Sequence, residues 1–332
     1  MTYQAPVVVI TGGTAGVGRA TAVYFAQAGY RVAVLARGQQ GLDETVAELQ
    51  ALGTQALACQ ADVADAAQVE QAAERVEAEL GPIHVWVNAA MNTVLAPFSD
   101  VTPDEFKRVT EVTYLGSVHG MMAALKRMQA RNSGTIVQVG SALAYRSIPL
   151  QSAYCGAKAA TRGFIDSLRS ELIHDKSRVR LTMVHLPGVN TPQFDWARNK
   201  LGRRAQPVPP IYQPEVAARA IFDAAMRAPR EIWVSKTTIQ SILGNMVAPG
   251  LLDVVMAKQA YEGQMTGEVE TPGRPDYLDQ PVEGLHRTHG RFSPKAQDKA
   301  ITVDSDIVGM AALAVAGVGL MTLSKLRRLK PF

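Results

Sequence analysis

Tyr154 and Lys158 stand four residues apart in SAYCGAKAATRGFIDSLRSEL, a stretch whose pattern predicts one long helix. Residues at i and i+4 share a helical face, so a phenol and an ammonium would be neighbours there. A phenol titrates at about 10 and transfers protons poorly at neutral pH, whereas a fixed cation beside it favours the phenolate. Such a pair suits the delivery or removal of a proton at a reacting oxygen. The spacing alone is common by chance and reads equally as a surface pair. Its meaning depends on what else the chain brings to it.

A second motif lies at the start. VVVITGGTAGVGRA places an apolar strand directly before Gly12, Gly16 and Gly18, with Thr14 and Val17 among them, and a helix directly after. Glycines there permit a tight turn and close approach of a pyrophosphate, while the helix N-terminus supplies unpaired N–H groups. The end of the next apolar run, VAVLARG, should meet an adenosine ribose. A carboxylate at that place would bind a 2′-hydroxyl, and a cation would bind a 2′-phosphate. Arg37 stands there with no acidic neighbour, and its planar fork suits phosphate. The pattern favours NADP(H) over NAD(H).

The elements that must position these groups follow a simple alternation. Apolar runs at 7–11, 31–36, 55–60, 84–89, 134–140, 179–185 and 231–235 alternate with helix-length amphipathic segments. Nearly continuous hydrophobic strands between such helices predict an α/β fold, a doubly wound, Rossmann-like parallel sheet with helices on both faces. The 332 residues are 47% hydrophobic and carry a net charge of +4, enough for one such domain with an extension. No basic block with interleaved aromatics points to nucleic acid. Two cysteines, Cys59 and Cys155, exclude a disulfide framework, and His84, His119, His174 and His185 lack ligand spacing, so no metal is expected. The N-terminus has no signal-peptide pattern, which places the catalytic part in the cytoplasm.

Taken together the motifs resemble the short-chain dehydrogenase/reductase family over about residues 6–235. They are TGGTAGVG at 11–18, Asp62-Val63, Asn88-Ala89, Ser141 thirteen residues before Tyr154, YCGAK at 154–158 and PGVNTP at 187–192, all in family order. The resemblance implies that Ser141 polarises a substrate carbonyl, that Tyr154 exchanges its proton, and that Lys158 holds the ribose hydroxyls and lowers the Tyr154 pKa. It further implies that Asp62 and Val63 contact adenine, Asn88 and Ala89 the adenosine side, and Pro187, Gly188 and Thr191 the nicotinamide end. It places a substrate lid at 192–212, where Phe194 and Trp196 read evenly as pocket wall or packing. It also implies a homo-oligomer formed through helices near 103–130 and 152–175. Two positions depart from the family pattern: VNAA at 87–90 replaces NNAG, and Thr113 replaces the asparagine of the proton relay.

Beyond 235 the alternation stops. The expected organisation is an NADP(H)-binding catalytic domain at 1–235, a helical extension at 236–263, a polar loop or linker at 264–305, an apolar membrane helix at 306–324 and a basic tail at 325–332. From Ile307 to Ser324 no residue is charged, a helix of about 27 Å against a hydrocarbon core of about 30 Å. With Lys325, Arg327, Arg328 and Lys330 behind it, this run is expected to associate with a membrane, spanning it or lying on it. A helix docked on its own domain is the alternative. Two functions fit these residues: an NAD(P)H-dependent oxidoreductase interconverting a carbonyl and a secondary alcohol, its small-molecule substrate lipophilic, or a catalytically weak NADP(H)-binding scaffold or redox sensor at a membrane.

Overall fold

A computed structural model describes residues 5–308. Each apolar run becomes a strand within a residue of its expected bounds: β1 (Val7–Thr11), β2 (Arg31–Ala36), β3 (Ala56–Gln60), β4 (Ile83–Asn88), β5 (Thr135–Ser141), β6 (Arg180–Leu186) and β7 (Glu231–Val234). These strands are parallel, in the order β3-β2-β1-β4-β5-β6-β7. The order reverses between β1 and β4, which opens a crevice at the carboxyl ends of the strands. A further strand, β8 (Thr302–Asp304), adds antiparallel to β7.

Burial on both faces follows from the period of two along each strand. Val7 and Val9 face one core with Leu35, Trp86 and Ile136; Val8 and Ile10 face the other with Val34, Val87 and Val137. Helices α1 (Gly16–Gln27), α2 (Gln39–Ala51) and α7 (Pro214–Arg227) cover the second face, where Phe25 packs edge-on against Phe222 at 5.0 Å between ring centroids. The first face is covered by α3 (Ala66–Leu80), α5 (Gly116–Arg131) and α6 (Ser152–His174). Helix α4 (Pro103–Thr110) starts on a reciprocal Thr102–Glu105 cap with Pro103 in its first turn. It runs into α5 through a widened turn, Glu111–Leu115.

After β7 the chain forms α8 (Lys236–Val247) and α9 (Pro249–Val255), with exposed Met246, Val247 and Leu251. The expectation of a linker at 264–305 needs correction, because this segment is folded onto the domain. Met265–Val269 pairs with Arg203–Ala205, Ala296–Gln297 pairs with Ile211–Tyr212, and β8 extends the sheet. Its average polarity hides Tyr277, Leu278 and Phe292, each buried, and its carbonyls take up arginine donors from the domain. Burying Leu278 alone stabilises the arrangement by about 2 kcal/mol. Among the described residues no helix is long and apolar enough to cross a membrane. The apolar run expected at 306–324 lies outside the described residues from 309 onward.

Candidate active site

The turn after β1 lies against the turn after β4. A methyl group on Gly12 (φ +67°) would come within 2.7 Å of the Ala90 Cα, so this position requires glycine for space as well as conformation. Thr11 Oγ1 accepts the N–H groups of Ala89 (3.1 Å) and Ala90 (3.2 Å), tying the two turns together. Gly16 (φ +53°) lies equally close to Thr191, which brings the glycine loop to the PGVNTP motif. Gly12, Thr14, Gly16, Val17, Gly18, Arg37, Asp62, Val63, Ala89, Pro187, Gly188 and Thr191 all line one cavity of about 610 Å³. Asn88 does not. Its amide accepts from Trp86 Nε1 and donates to the Ser117 carbonyl, fully buried as a strut between β4 and α5.

Ser141, Tyr154 and Lys158 line the other end of the same cavity. Ser141 ends β5, and its oxygen accepts the Leu143 N–H at 3.1 Å, leaving the hydroxyl proton to donate. Tyr154 and Lys158 occupy the first two turns of α6, with Nζ 5.6 Å from the phenol ring centroid. Lys158 is 3% exposed and donates to the Val139 carbonyl at 2.8 Å. Burial lowers its pKa to about 8. Burial also pushes the Tyr154 phenol up, with the Ser141 hydroxyl acting in the opposite direction. The protein alone therefore keeps the Tyr154 proton in place, whereas the resemblance implies a lowered pKa.

Thr113, in the widened turn before α5, is fully buried. Its hydroxyl accepts the Asn92 N–H at 3.1 Å and donates to the Asn92 carbonyl at 3.0 Å. It fastens the loop after β4 to the helix. Sequence reasoning missed this pairing, and Asn92 gave no signal beyond its place after Asn88-Ala89.

A second buried cluster stands behind Ser141. His185 Nδ1 lies 3.0 Å from the Ser141 carbonyl oxygen, and Nε2 faces Glu231 Oε2 at 3.3 Å. Glu231 also accepts from Tyr145 Oη (2.6 Å) and Trp233 Nε1 (2.8 Å). Burial works against its ionisation, but His185, Trp233 and Tyr145 outweigh it and bring the carboxyl to about 2. The cluster fixes the end of β5 against β6 and β7.

Ile148, Gln151, Phe194, Trp196, Thr238 and Met256 are among the residues continuing the cavity past Tyr154. Phe194 and Trp196 do both things expected of them: each lines the cavity, while Phe194 packs on Phe292 and Trp196 on Tyr277. The only ionisable Asp, Glu, Lys, Arg or His side chains along the whole lining are Arg37, Asp62, Lys158 and His286. Tyr277, Pro281, Val282 and His286 come from the C-terminal segment and were not foreseen.

A glycine loop at a sheet's switch point, lining one cavity with Ser141, Tyr154 and Lys158, is an arrangement that fits an α/β oxidoreductase. The short chain dehydrogenase family model matches residues 6–201, and the chain belongs to that family. It is 30% identical over 321 residues to "Uncharacterized oxidoreductase YxnA" of Bacillus subtilis (strain 168), covering 93% of this chain and 90% of that protein. It is 30% identical over 273 residues to "Dehydrogenase/reductase SDR family member 7B" of Mus musculus, covering 76% of this chain and 81% of that one. Among solved structures, a variant of actinorhodin polyketide ketoreductase with NADPH matches at TM-score 0.55 and 28% identity, over 58% of this chain and 74% of that one. A short chain dehydrogenase from Mycobacterium paratuberculosis bound to NAD matches at TM-score 0.54 and 26% identity, over 57% and 74%.

The Glu231 cluster predicts a pH dependence. A carboxyl lowered from 4.5 to about 2 adds stability that is fully present above pH 4.5 and disappears as pH falls toward 2. Glu231→Gln should be less stable at pH 7 by a few kcal/mol, on the order of two pKa units' worth. Urea unfolding across pH 2 to 7 should show the gap to wild type narrowing below about 4.5.

Proposed function

We propose that the protein interconverts a carbonyl and a secondary alcohol with NADP(H), Tyr154 acting as acid and base. The observation that carries this reading is that buried Ser141 and Lys158 and half-buried Tyr154 line the same cavity as the glycine loop. The loop suits a dinucleotide because Gly12 and Gly16 let it turn tightly against Ala90 and Thr191 while Gly12, Gly16 and Gly18 line the cavity at the start of α1. When bound, the nicotinamide supplies or accepts the hydride at the substrate carbon.

The chain's own residues handle the oxygen. Ser141 donates its hydroxyl proton to the carbonyl oxygen and orients it. Tyr154 releases its phenolic proton to that oxygen as the C=O bond becomes C–O–H, and takes it back in the reverse direction. Lys158, with one N–H held by Val139, has two donors left for ribose hydroxyls and stabilises the transient phenolate. Among the described residues, Lys158 is the one charged side chain lining the cavity beside Ser141 and Tyr154, and Ile148, Gln151, Phe194, Trp196, Thr238 and Met256 are uncharged, which suits an uncharged, lipophilic carbonyl compound.

Preference for NADP(H) rests on Arg37. Its guanidinium now donates to main-chain carbonyls of 277–279, neutral acceptors that a phosphate dianion outbids through charge-assisted bonds. The apolar run at 307–324 is the proposed membrane contact of the full chain.

Three outcomes are expected. Tyr154→Phe should lose at least about 10²-fold in kcat on any carbonyl substrate while NADPH still binds. Turnover equal to wild type would overturn the mechanism, and NADPH binding without turnover by wild type across a carbonyl panel would favour the scaffold. Arg37→Ala should lower the ratio of NADPH to NADH affinity by about 10- to 100-fold. That ratio cancels any general loosening of the site. Full-length protein should sediment with membranes and a chain ending at 305 should not; full recovery of both in the supernatant would remove the membrane proposal.

A further inference from the structure

The C-terminal segment that crosses the cavity is tied down by groups of the cleft itself. Arg37 donates to the carbonyls of Tyr277 and Asp279, the latter at 2.9 Å. The Gly16 N–H, inside the glycine turn, donates to the Arg287 carbonyl at 3.0 Å. Arg19, in α1, donates to the His286 carbonyl. Asp62 holds Arg108, whose Nε donates to the Leu278 carbonyl at 3.2 Å. One strap thus bridges the turns after β1, β2 and β3, which bound the adenosine end of the cleft.

His286 points to a ligand there. Its ring lies over the first turn of α2, where a methyl group on Gly38 would sit 3.4 Å from it, and it lines the cavity. The side chain is 6% exposed, and neither ring nitrogen has a hydrogen-bond partner; Glu283 stands too far away at 3.7 Å. Gly38, the N-cap of α2, offers no side-chain cap. An unpaired buried imidazole and an uncapped helix start at one place are both satisfied by a single oxygen-rich group.

We propose that residues 276–287 are the outer wall of the nucleotide site, and that this wall must lift for a dinucleotide to enter or leave. The proposal rests on the dinucleotide reading given above. The glycine loop, Tyr154 and the strap's Tyr277, Pro281, Val282 and His286 all line one cavity, so the strap is part of the wall that a bound ligand would meet. Tyr277 and Leu278 seat the wall: Leu278 is 1% exposed, and the Tyr277 oxygen accepts the Thr93 N–H at 3.1 Å. On the outside Arg198 grips Asp276 and Asp279, each at 2.8 Å. Arg198 follows Trp196, which packs on Tyr277 and His286 at 5.7 and 5.6 Å between ring centroids. The substrate lid and the strap are therefore one latched unit. The side chains of the two aspartates lie outside the cavity, so neutralising them loosens the latch without altering its lining.

The test is the rate of NADPH binding and release, followed by stopped-flow fluorescence, in wild type and in the full-length Asp276→Asn, Asp279→Asn double variant. A gate makes both rates rise together, by about tenfold, with Kd changed less than about threefold. Unchanged rates would overturn the proposal, as would a faster release with unchanged association, which is the signature of a static contact. Hydrogen exchange on wild type provides a reading that needs no variant: saturating NADPH should slow exchange of the amides at 277–287 by about tenfold or more. No slowing there, with slowing at the glycine loop, would also overturn it. Failure of wild type to bind NADPH or NADH at all would overturn the dinucleotide reading first, and this proposal with it.

Discussion

Everything in the site depends on how closely two turns of backbone approach each other. The chain leaves β1 and doubles back so tightly that Gly12 lies against Ala90, with Thr11 Oγ1 holding the N–H groups of Ala89 and Ala90. That contact falls where the strand order reverses, so the helices on either side diverge and leave a crevice instead of a packed core. A side chain at Gly12 would push β4 away from β1 and tilt β5 with it. Ser141 sits at the end of β5, and Lys158 is tethered to β5 through the Val139 carbonyl. The reacting groups are thus held to the glycine loop through two strands of sheet.

The buried polar cluster of Tyr145, His185, Glu231 and Trp233 supports the same geometry from behind. A carboxylate that is 3% exposed would be costly without partners, and here Tyr145 and Trp233 donate to it while His185 Nε2 stands 3.3 Å away. Because His185 also reaches the Ser141 carbonyl, β5, β6 and β7 are locked in register beside Ser141. The strap supports the opposite side. It buries Tyr277 and Leu278 against the domain, and its carbonyls meet Arg37, Arg108 and Arg19, the last two also ion-paired with Asp62 and Glu48. Arg37 is the clearest case: the residue suited to a 2′-phosphate is also the one that fastens the strap.

The parallel sheet was legible in the sequence because strands buried on both faces must be apolar along their whole length, and VVVIT, RVAVLA and RLTMVHL leave no other reading. The glycine loop and the Tyr154–Lys158 pair were legible because their chemistry demands fixed spacing. The strap was not. Its hold on the domain comes from main-chain carbonyls, which every residue carries, and from partners such as Arg37 and Arg19 more than 200 positions away. Only the Tyr277-Leu278 pair within a polar stretch signalled burial. Asn88 illustrates the converse: the motif put it after the fourth strand, whereas it is the last residue of β4 and its side chain turns inward to Trp86 and Ser117, away from the cavity. Glu231 read as an ordinary strand residue, since its three partners converge only in the folded sheet.

The protonation states of the two reacting groups give the site a direction. Burial disfavours charge on both, lowering Lys158 to about 8 and raising Tyr154. At neutral pH most Lys158 is still cationic, while Tyr154 retains its proton. A neutral phenol beside an ammonium is an acid waiting for a base, and the oxygen of a carbonyl gaining electron density is such a base. As the proton leaves, the phenolate forms within reach of the Lys158 charge and of the Ser141 hydroxyl, so its stabilisation grows along the reaction and is absent before it. Alcohol oxidation would require the reverse, a phenolate already present at the start, which burial in this protein opposes. On the proposed mechanism, the chain by itself holds the phenolic proton that carbonyl reduction would use, and added positive charge in the cavity would favour the phenolate that oxidation would use.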